Sequence, residues 1–234
     1  MPPIVELNNV TVIYPNGVLA LSDVDLHVDA SEFVFLVGAT GHGKSTILKL
    51  LYCDERPTKG TVNVLGWDVS RLTPQRVSRL RRRVGVVFQD FRLLPRTAWE
   101  NVAFALHATG HSYREVRRRV PGALAEVGLL DKADDFPSQL SAGEQQSLAI
   151  ARVLAIRPSL ILADEPTGNL DPNSSNHVMG LLLKANEELG ATVLVASHDP
   201  AIVNTMKRRV VALRRGKIFR DIREGAYPDD LERD

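Results

Sequence analysis

A phosphate-binding pattern is the most specific chemical signal in the sequence. The pattern G-x-x-x-x-G-K-[ST] is met at every fixed position by eight consecutive residues: Gly38, Ala39, Thr40, Gly41, His42, Gly43, Lys44 and Ser45. In such a loop the glycines let backbone N–H groups turn inward toward phosphate oxygens. The lysine reaches the β- and γ-phosphates, and the hydroxyl ligates Mg²⁺. An ordinary glycine-rich turn is the alternative, but the apolar run before the loop and the helical pattern after it favour a nucleotide phosphate site.

Two adjacent carboxylates follow a second apolar run. Asp164 and Glu165 come directly after Leu160–Ala163, a run that predicts a buried strand. A carboxylate at the end of such a strand can hold the metal of a nucleotide, and we assign this role to Asp164. We expect Glu165 to point to the opposite face and to polarise an attacking water. Taken alone the pair also fits a solvated turn; the phosphate loop favours catalysis.

The segment Ser141-Ala142-Gly143-Glu144 has two interpretations. As local structure it is a helix start, with Ser141 as the N-cap and Glu144 in the capping-box position. A helix that begins near Gly143 also presents free N–H groups and a positive dipole end, which favour an anion. The segment alone does not distinguish the two.

Composition excludes several classes of protein. The chain has 234 residues, of which 44% are hydrophobic and 24% are charged, and a formal net charge of +1. That content is too apolar for disorder, and no apolar run approaches the roughly 20 residues of a membrane helix. The N-terminus lacks the features of a secretory signal. Near-neutral charge predicts no nucleic-acid partner, so we interpret the arginine runs at 79–83 and 117–119 as solvated helix surface.

The elements that would position these residues follow an α/β pattern. Alternating segments before residue 29 predict antiparallel strands, and apolar runs such as Phe33–Val37 predict a parallel sheet covered on both sides. Residues 90–157 carry helical patterns only, so we predict a helical subdomain inserted into a core of residues 1–89 and 158–228. Pro121 is expected to start or kink its middle helix. A hairpin is predicted around Arg215-Gly216, and the acidic end, residues 229–232, is expected to fray.

The order of the motifs resembles that of ABC-type ATPases over nearly the whole chain. Phosphate loop, Val87-Phe88-Gln89, Leu140-Ser141-Ala142-Gly143, the double-acidic strand end and Ser197-His198-Asp199 follow one another as in that family. The resemblance implies an α/β fold and one domain spanning residues 1–234: a P-loop NTPase (RecA-like) core with an antiparallel β subdomain and an inserted α-helical subdomain. It also implies that the chain hydrolyses ATP with Mg²⁺.

The resemblance assigns a role to each motif. Glu165 corresponds to the catalytic base, His198 to the switch histidine at the γ-phosphate, and Gln89 to the glutamine that senses the metal and the water. Ser45, Gln89 and Asp164 would hold the metal. The residues expected to contact nucleotide are Tyr14 (stacked on adenine), Gly38, Ala39, Thr40, Gly41, His42, Gly43, Lys44, Ser45, Thr46, Ser141, Ala142, Gly143, Glu144 and Asp171, the last in a loop that crosses to a second subunit. A core tyrosine and a strand-end histidine are the alternatives for Tyr14 and His198.

Within the family, the strings Phe88–Leu94 and Glu100–Leu106 are most similar to those of the FtsE group of cell-division ATPases. That likeness implies a head-to-tail homodimer with ATP and an integral-membrane partner resembling FtsX. It places the chain peripherally at the cytoplasmic face of the membrane, in indirect contact with peptidoglycan hydrolases. The alternatives are the ATPase of an exporter of lipoproteins or drugs, a soluble ABC protein acting on nucleic acid or ribosomes, and a nucleotide sensor without turnover.

Three residues depart from the family pattern. Ala142 stands where the family usually has glycine, Ser147 replaces the usual arginine, and His42 replaces a small residue. Ala142 adds a Cβ where backbone and phosphate approach each other. These departures affect the expected rate of turnover rather than nucleotide binding.

Overall fold

A computed structural model describes residues 3–228. The strands are β1 (Val5–Ile13), β2 (Leu19–Val28), β3 (Phe33–Val37), β4 (Lys59–Val64), β5 (Trp67–Asp68), β6 (Val84–Val87), β7 (Leu160–Asp164), β8 (Thr192–Ser197), β9 (Arg209–Arg214) and β10 (Lys217–Ile222). The helices are α1 (Lys44–Leu51), α2 (Pro74–Arg81), α3 (Ala98–Ala108), α4 (Tyr113–Glu126), α5 (Ala142–Ile156), α6 (Pro172–Leu189) and α7 (Pro200–Met206). Short 3-10 turns lie at Val69–Arg71, Leu130–Lys132 and Pro137–Gln139. The predicted fraying of the acidic end lies outside the described residues.

The larger sheet has six strands in the order β10-β9-β3-β8-β7-β6. Its strands pair in parallel except for the hairpin of β9 and β10. The parallel strands therefore end at one edge of the sheet, where β3 leads into the phosphate loop and β7 into the two carboxylates. That edge is where α/β folds bind ligands.

The smaller sheet is antiparallel, in the order β2-β1-β4-β5. It confirms the predicted antiparallel strands of the first third of the chain. The two segments predicted at 4–7 and 10–13 form one strand, because the pairing of β1 with β2 shifts register after Leu7 and continues from Val10. Such a shift bends a strand without ending it.

Two hydrophobic cores cover the two faces of the six-stranded sheet. All five residues of β3 are buried. Phe33, Phe35 and Val37 belong to the core shared with the helices that follow β6, whereas Val34 and Leu36 belong to the core beneath the smaller sheet and α1. Alternate residues of a strand point to opposite faces, which explains why this segment is apolar throughout.

Helices α3, α4 and α5 lie between β6 and β7 in the chain and pack against one another. This arrangement confirms an inserted helical subdomain; the boundaries at 89/90 and 157/158 stay a prediction. Pro121 does not start a helix: α4 begins at Tyr113 and runs through it. Pro121 has no N–H to donate to the carbonyl oxygen of Arg117. The loss is tolerated because both residues are exposed, so water can reach that carbonyl.

Candidate functional site

Close packing requires glycine at two positions of the phosphate loop. Gly38 has a φ of 152° and Gly43 a φ of 102°, values that residues with a side chain rarely adopt. A Cβ at Gly38 would lie 2.5 Å from the carbonyl oxygen of Leu213, and one at Gly43 would lie 2.6 Å from the Leu21 side chain. The loop is therefore pressed between β9 and β2, and the sequence pattern alone did not reveal this reason for its glycines.

Lys44 is a buried cation held inside the loop. Its side chain is 6% exposed. The Nζ atom donates to the carbonyl oxygens of Gly38 at 2.7 Å and Ala39 at 3.3 Å, and it lies 3.5 Å from Oε1 of Glu165. A buried charge is costly unless it is paired and hydrogen-bonded, so these three contacts hold the ammonium group in place inside the phosphate loop.

Ser45 and Asp164 meet across 119 positions of the sequence. The Ser45 hydroxyl donates to Oδ1 of Asp164 at 2.9 Å. Burial, and secondarily the neighbouring charge of Glu165, raise the pKa of Asp164, against the opposing effects of the Ser45 hydrogen bond and of Lys44. A hydroxyl and a half-buried carboxylate are hard oxygen ligands, and a divalent cation would offset the cost of burying the charge. The residues present thus fit Mg²⁺.

Glu165 faces the same cleft as Asp164, so the prediction that it points to the opposite face was wrong. The strand ends at Asp164, and Glu165 has a φ of 49°, which turns its side chain back toward Lys44. Its second oxygen, Oε2, lies 2.7 Å from Nδ1 of His198. A left-handed non-glycine residue at this point is a strained conformation of the kind found at active sites.

A cleft of about 470 Å³ brings together seven of the residues predicted to contact nucleotide and the four further residues predicted to act in catalysis or metal binding. It is lined by Tyr14, Val18, Ala20, Thr40, Gly41, Gly43, Lys44, Ser45, Thr46, Gln89, Asp164, Glu165 and His198. Tyr14 is held at its rim by a hydrogen bond of 3.0 Å between its hydroxyl and that of Thr46.

His42 and Gln89 reach other parts of the molecule as well. Nδ1 of His42 lies 3.3 Å from the carbonyl oxygen of Leu213, so this side chain ties the loop to β9. The Gln89 amide packs against Gly168, where a Cβ would come within 3.1 Å of its nitrogen. Gln89 therefore connects the nucleotide cleft to the loop that follows Glu165.

The predicted residues Ser141–Glu144, called the signature segment below, lie at the start of α5 and do not line this cleft. Ser141 and Glu144 form a capping box: the Glu144 N–H donates to the Ser141 hydroxyl at 3.3 Å, and the Ser141 N–H donates to Oε2 of Glu144 at 2.9 Å. Ala142 is exposed and is the first residue of the helix. Ala142 is not among the residues with a positive φ, so its Cβ imposes no backbone strain. A positive φ therefore does not require glycine at this position.

Asp171 lies next to the signature segment. It caps α6, accepting hydrogen bonds from the N–H groups of Asn173 at 2.9 Å and Ser174 at 3.1 Å. A Cβ on Gly143 would lie 2.5 Å from the Ser174 hydroxyl, so α5 and α6 approach closely at this point. The structure thus forms two groups of predicted residues, one around the phosphate loop and one around the signature segment.

Two side chains support these groups through contacts that sequence reasoning did not predict. Lys132 donates to Oε1 of Glu144 at 2.6 Å. Gln146, fully buried, donates to the carbonyl oxygen of Pro166, the residue after Glu165, at 2.7 Å. Lys132 belongs to no motif, and Gln146 belongs to the signature motif, but each contact joins residues that only the fold brings together.

No helix within residues 3–228 combines the length and the apolar character needed to cross a bilayer.

The ABC transporter family matches residues 21–168. The chain is 46% identical over 224 residues to the cell division ATP-binding protein FtsE of Bacillus subtilis, covering 95% of this chain and 98% of that protein. It is 47% identical to FtsE of Mycobacterium tuberculosis, with 97% and 99% covered, and 44% identical to FtsE of Escherichia coli, with 92% and 96% covered.

Solved structures of ATP-binding cassettes share the fold. The dimeric post-hydrolysis state of the cassette MJ0796 bound to ADP and Pi has a TM-score of 0.86 and 38% identity, and covers 95% of this chain and 100% of that one. The cassette cbiO1 of Clostridium perfringens, part of the transporter complex cbiONQ, has a TM-score of 0.88 and 27% identity, with 96% and 90% covered.

Proposed function

The chain belongs to the ABC transporter family and is an ATPase, and we propose that it serves a transmembrane partner as the ATP-hydrolysing subunit of a cell-division complex. The observation that carries the proposal is the convergence of Lys44, Ser45, Asp164, Glu165 and His198 in one cleft. Similarity to FtsE proteins over more than nine-tenths of the chain supports the division role. The partner resembles FtsX, and the subunit lies at the cytoplasmic face of the membrane.

ATP binding uses the phosphate loop. Tyr14 stacks on the adenine from the rim of the cleft, and the loop N–H groups of Gly41 and Gly43 face the phosphates. Lys44, whose Nζ lies 3.5 Å from Oε1 of Glu165, would instead form its ion pair with the β- and γ-phosphates of ATP. This exchange would release the carboxylate of Glu165 when nucleotide enters.

Ser45, Asp164 and Gln89 would hold Mg²⁺, which would supply charge neutralisation on the phosphates. The chain's own acid–base chemistry lies with Glu165, whose carboxylate accepts a proton from the attacking water. His198, 2.7 Å from that carboxylate, orients it and contacts the γ-phosphate. Gln89 links this chemistry to the helical subdomain, because its chain leaves β6 toward α3.

The signature segment acts on a second copy of the chain. Its N–H groups and helix dipole suit an anion, yet it does not line the cleft of its own subunit. In a head-to-tail homodimer each signature segment faces the γ-phosphate of the other copy, and Asp171 crosses the same interface. The dimeric state of the similar cassette MJ0796 supports this arrangement.

The partner's contact surface is proposed around the segment that follows Gln89. Phe91, Leu93 and Leu94 are all partly buried, and Leu93 packs against the core that the sheet shares with the helical subdomain. These apolar side chains at the seam between the core and the helical subdomain suit the apolar face of a short amphipathic helix of the partner. ATP-driven dimerisation would then move the partner, and through it activate peptidoglycan hydrolases outside the cell.

Glu165→Gln tests the catalytic assignment. The amide cannot accept the proton of the attacking water, so hydrolysis should fall by at least about 100-fold while nucleotide binding persists. The measurement is phosphate release alongside titration with a fluorescent nucleotide. Hydrolysis at the parental rate would place the base elsewhere.

The division role is tested in the native host. Replacing the gene by the Lys44→Ala form should produce long, undivided cells, and Phe91→Asp should do the same while releasing the protein from membranes with its ATP binding intact. Normal division with lipoproteins or drugs retained in the cell would instead indicate an exporter. Salt-dependent binding to DNA or RNA would indicate a nucleic-acid function.

A further inference from the structure

Lys132 lies beside the signature segment and holds its one acidic residue. Its Nζ donates to Oε1 of Glu144 at 2.6 Å. The other oxygen, Oε2, accepts from the Ser141 N–H at 2.9 Å and from the Ser141 hydroxyl at 3.0 Å. Lys132 ends the 3-10 turn Leu130–Lys132, so a separate element supplies this cation to α5.

The charge of Glu144 is a difficulty for a helix start that receives a γ-phosphate. The hydrogen bond from Lys132, followed by that from the Ser141 backbone, lowers the pKa of Glu144, so the carboxylate stays ionised at neutral pH. Two anions at one helix N-terminus repel each other, even though the dipole favours each of them separately. A cation in direct contact with the carboxylate removes most of that repulsion.

The Ser141 hydroxyl would have two competing acceptors, Glu144 and the phosphate of the second copy. It has a single proton, which it gives to Oε2 of Glu144. If that proton turns to a phosphate oxygen, Glu144 loses one hydrogen bond. The carboxylate then still has the Ser141 N–H on Oε2 and Lys132 on Oε1, so each oxygen keeps a donor.

We propose that Lys132 is a positioning residue that neutralises Glu144 and so allows the signature segment to accept the γ-phosphate of a second copy. The inference rests on the proposed two-copy site. Lys132 would affect the affinity of one copy for the ATP bound to the other copy, without touching the reacting atoms.

The test measures ATP-driven dimerisation in the Glu165→Gln background, by sedimentation velocity across a range of ATP concentrations. Lys132→Met should raise the ATP concentration for half-maximal dimer by about tenfold, because it leaves an unpaired carboxylate facing the phosphate. Adding Glu144→Gln to Lys132→Met should restore the parental value to within about twofold, because glutamine keeps the capping-box acceptor without the charge. The Lys132→Met effect should also shrink in high salt.

Lys184→Met is the matched control. Lys184 is exposed on α6 and lies 3.8 Å from Glu188, so the variant removes the same charge from an ion pair far from the signature segment. It should leave dimerisation unchanged.

Three results separate the possibilities. If Glu165→Gln alone does not dimerise at millimolar ATP, the two-copy site is wrong and the inference falls with it. If it dimerises and Lys132→Met has no effect, the inference alone is wrong. If Lys132→Met weakens the dimer but Glu144→Gln does not rescue it, and the melting temperature falls in parallel, Lys132 supports folding only and the inference is again wrong.

Discussion

The phosphate-loop cleft and the signature segment are built in opposite ways. Around the cleft, the polar contacts join distant parts of the chain: Ser45 with Asp164, and Glu165 with both Lys44 and His198. Around the signature segment, the capping box is local, and its outside supports are Lys132 and the close approach of α6. The strands of the sheet thus bring the residues of the cleft together, whereas the signature segment is a locally capped helix start that is exposed at the surface.

This difference indicates what each region lacks. The cleft has a buried cation, a metal-compatible oxygen pair, a carboxylate and the start of α1, but the signature segment at the start of α5 does not line it. The signature segment has its own helix start, but its one neighbouring cation among the described residues, Lys132, and its one carboxylate, Glu144, are paired with each other. Each region supplies what the other lacks, which is the physical reason to expect two copies to share one nucleotide.

Lys44→Ala should have the largest effect and should be confined to the cleft. Removal of the buried ammonium group should weaken ATP binding by at least about 100-fold, since charge-assisted hydrogen bonds to phosphate are lost. Titration with a fluorescent nucleotide measures it. Ala142→Glu, which alters only the signature segment, should bind ATP in the monomer as the parent does; equal losses in both variants would abolish the distinction between the regions.

Gly143→Ala should damage the signature segment through packing. The new Cβ would lie 2.5 Å from the hydroxyl oxygen and 2.8 Å from the Cβ of Ser174, so α5 and α6 must move apart. We expect the free energy of unfolding to fall by about 1–3 kcal/mol, together with turnover. Denaturant unfolding and ATPase assays measure the two effects.

Ala142→Gly, one residue away, is the control for packing because Ala142 is exposed. It should change stability by less than about 1 kcal/mol. Turnover should rise if the methyl group obstructs the other copy's phosphate. A loss of stability as large as that of Gly143→Ala would show that the close approach to Ser174 is not what distinguishes these positions.

Asp164→Asn should stabilise the cleft while disabling it. Burial raises the pKa of Asp164, so ionisation costs stability at pH values above the ordinary aspartate pKa of about 3.9. The amide removes that cost, and the melting temperature at pH 7 should rise by about 2–4 °C without nucleotide. The gain should vanish near pH 3, where the carboxyl is protonated in both states, and Mg²⁺-dependent hydrolysis should be lost. A lower melting temperature at pH 7 would mean that the pairing with Ser45 and Lys44 outweighs burial.

Sequence patterns predicted the elements that carry strong periodicity or an uninterrupted apolar run. Strand β3, the helix after the phosphate loop and the helices of the insertion were all anticipated, as was the C-terminal hairpin. Strands β4 and β5 and helix α7 were not, and α2 was anticipated only as the helix surface that carries the arginine run at 79–83. These elements lack a sustained apolar pattern: α2 has Leu80 as its one buried residue, the first three residues of β4 are exposed, and β5 has two residues. Tertiary contacts, rather than local pattern, stabilise such elements.

The sequence identified most residues of the site, but it did not predict how their side chains are oriented or which contacts they make. The phosphate-loop pattern identified Lys44 and Ser45, but strand alternation misplaced Glu165, whose positive φ begins where the strand ends. Lys132 carries no sequence signal, since its contact with Glu144 spans twelve positions between two elements. Such contacts depend on packing that no local pattern encodes.

The most direct test of the shared site mixes two variants that are each inactive. Lys44→Ala has a defective cleft and an intact signature segment, whereas Ala142→Glu has an intact cleft and a carboxylate facing the incoming phosphate; glutamate at this exposed first turn should not disturb folding. In a head-to-tail pair, one of the two sites then combines the intact cleft with the intact signature segment. We predict that an equimolar mixture hydrolyses ATP well above the sum of the two variants assayed separately. A mixture no more active than that sum would contradict the account.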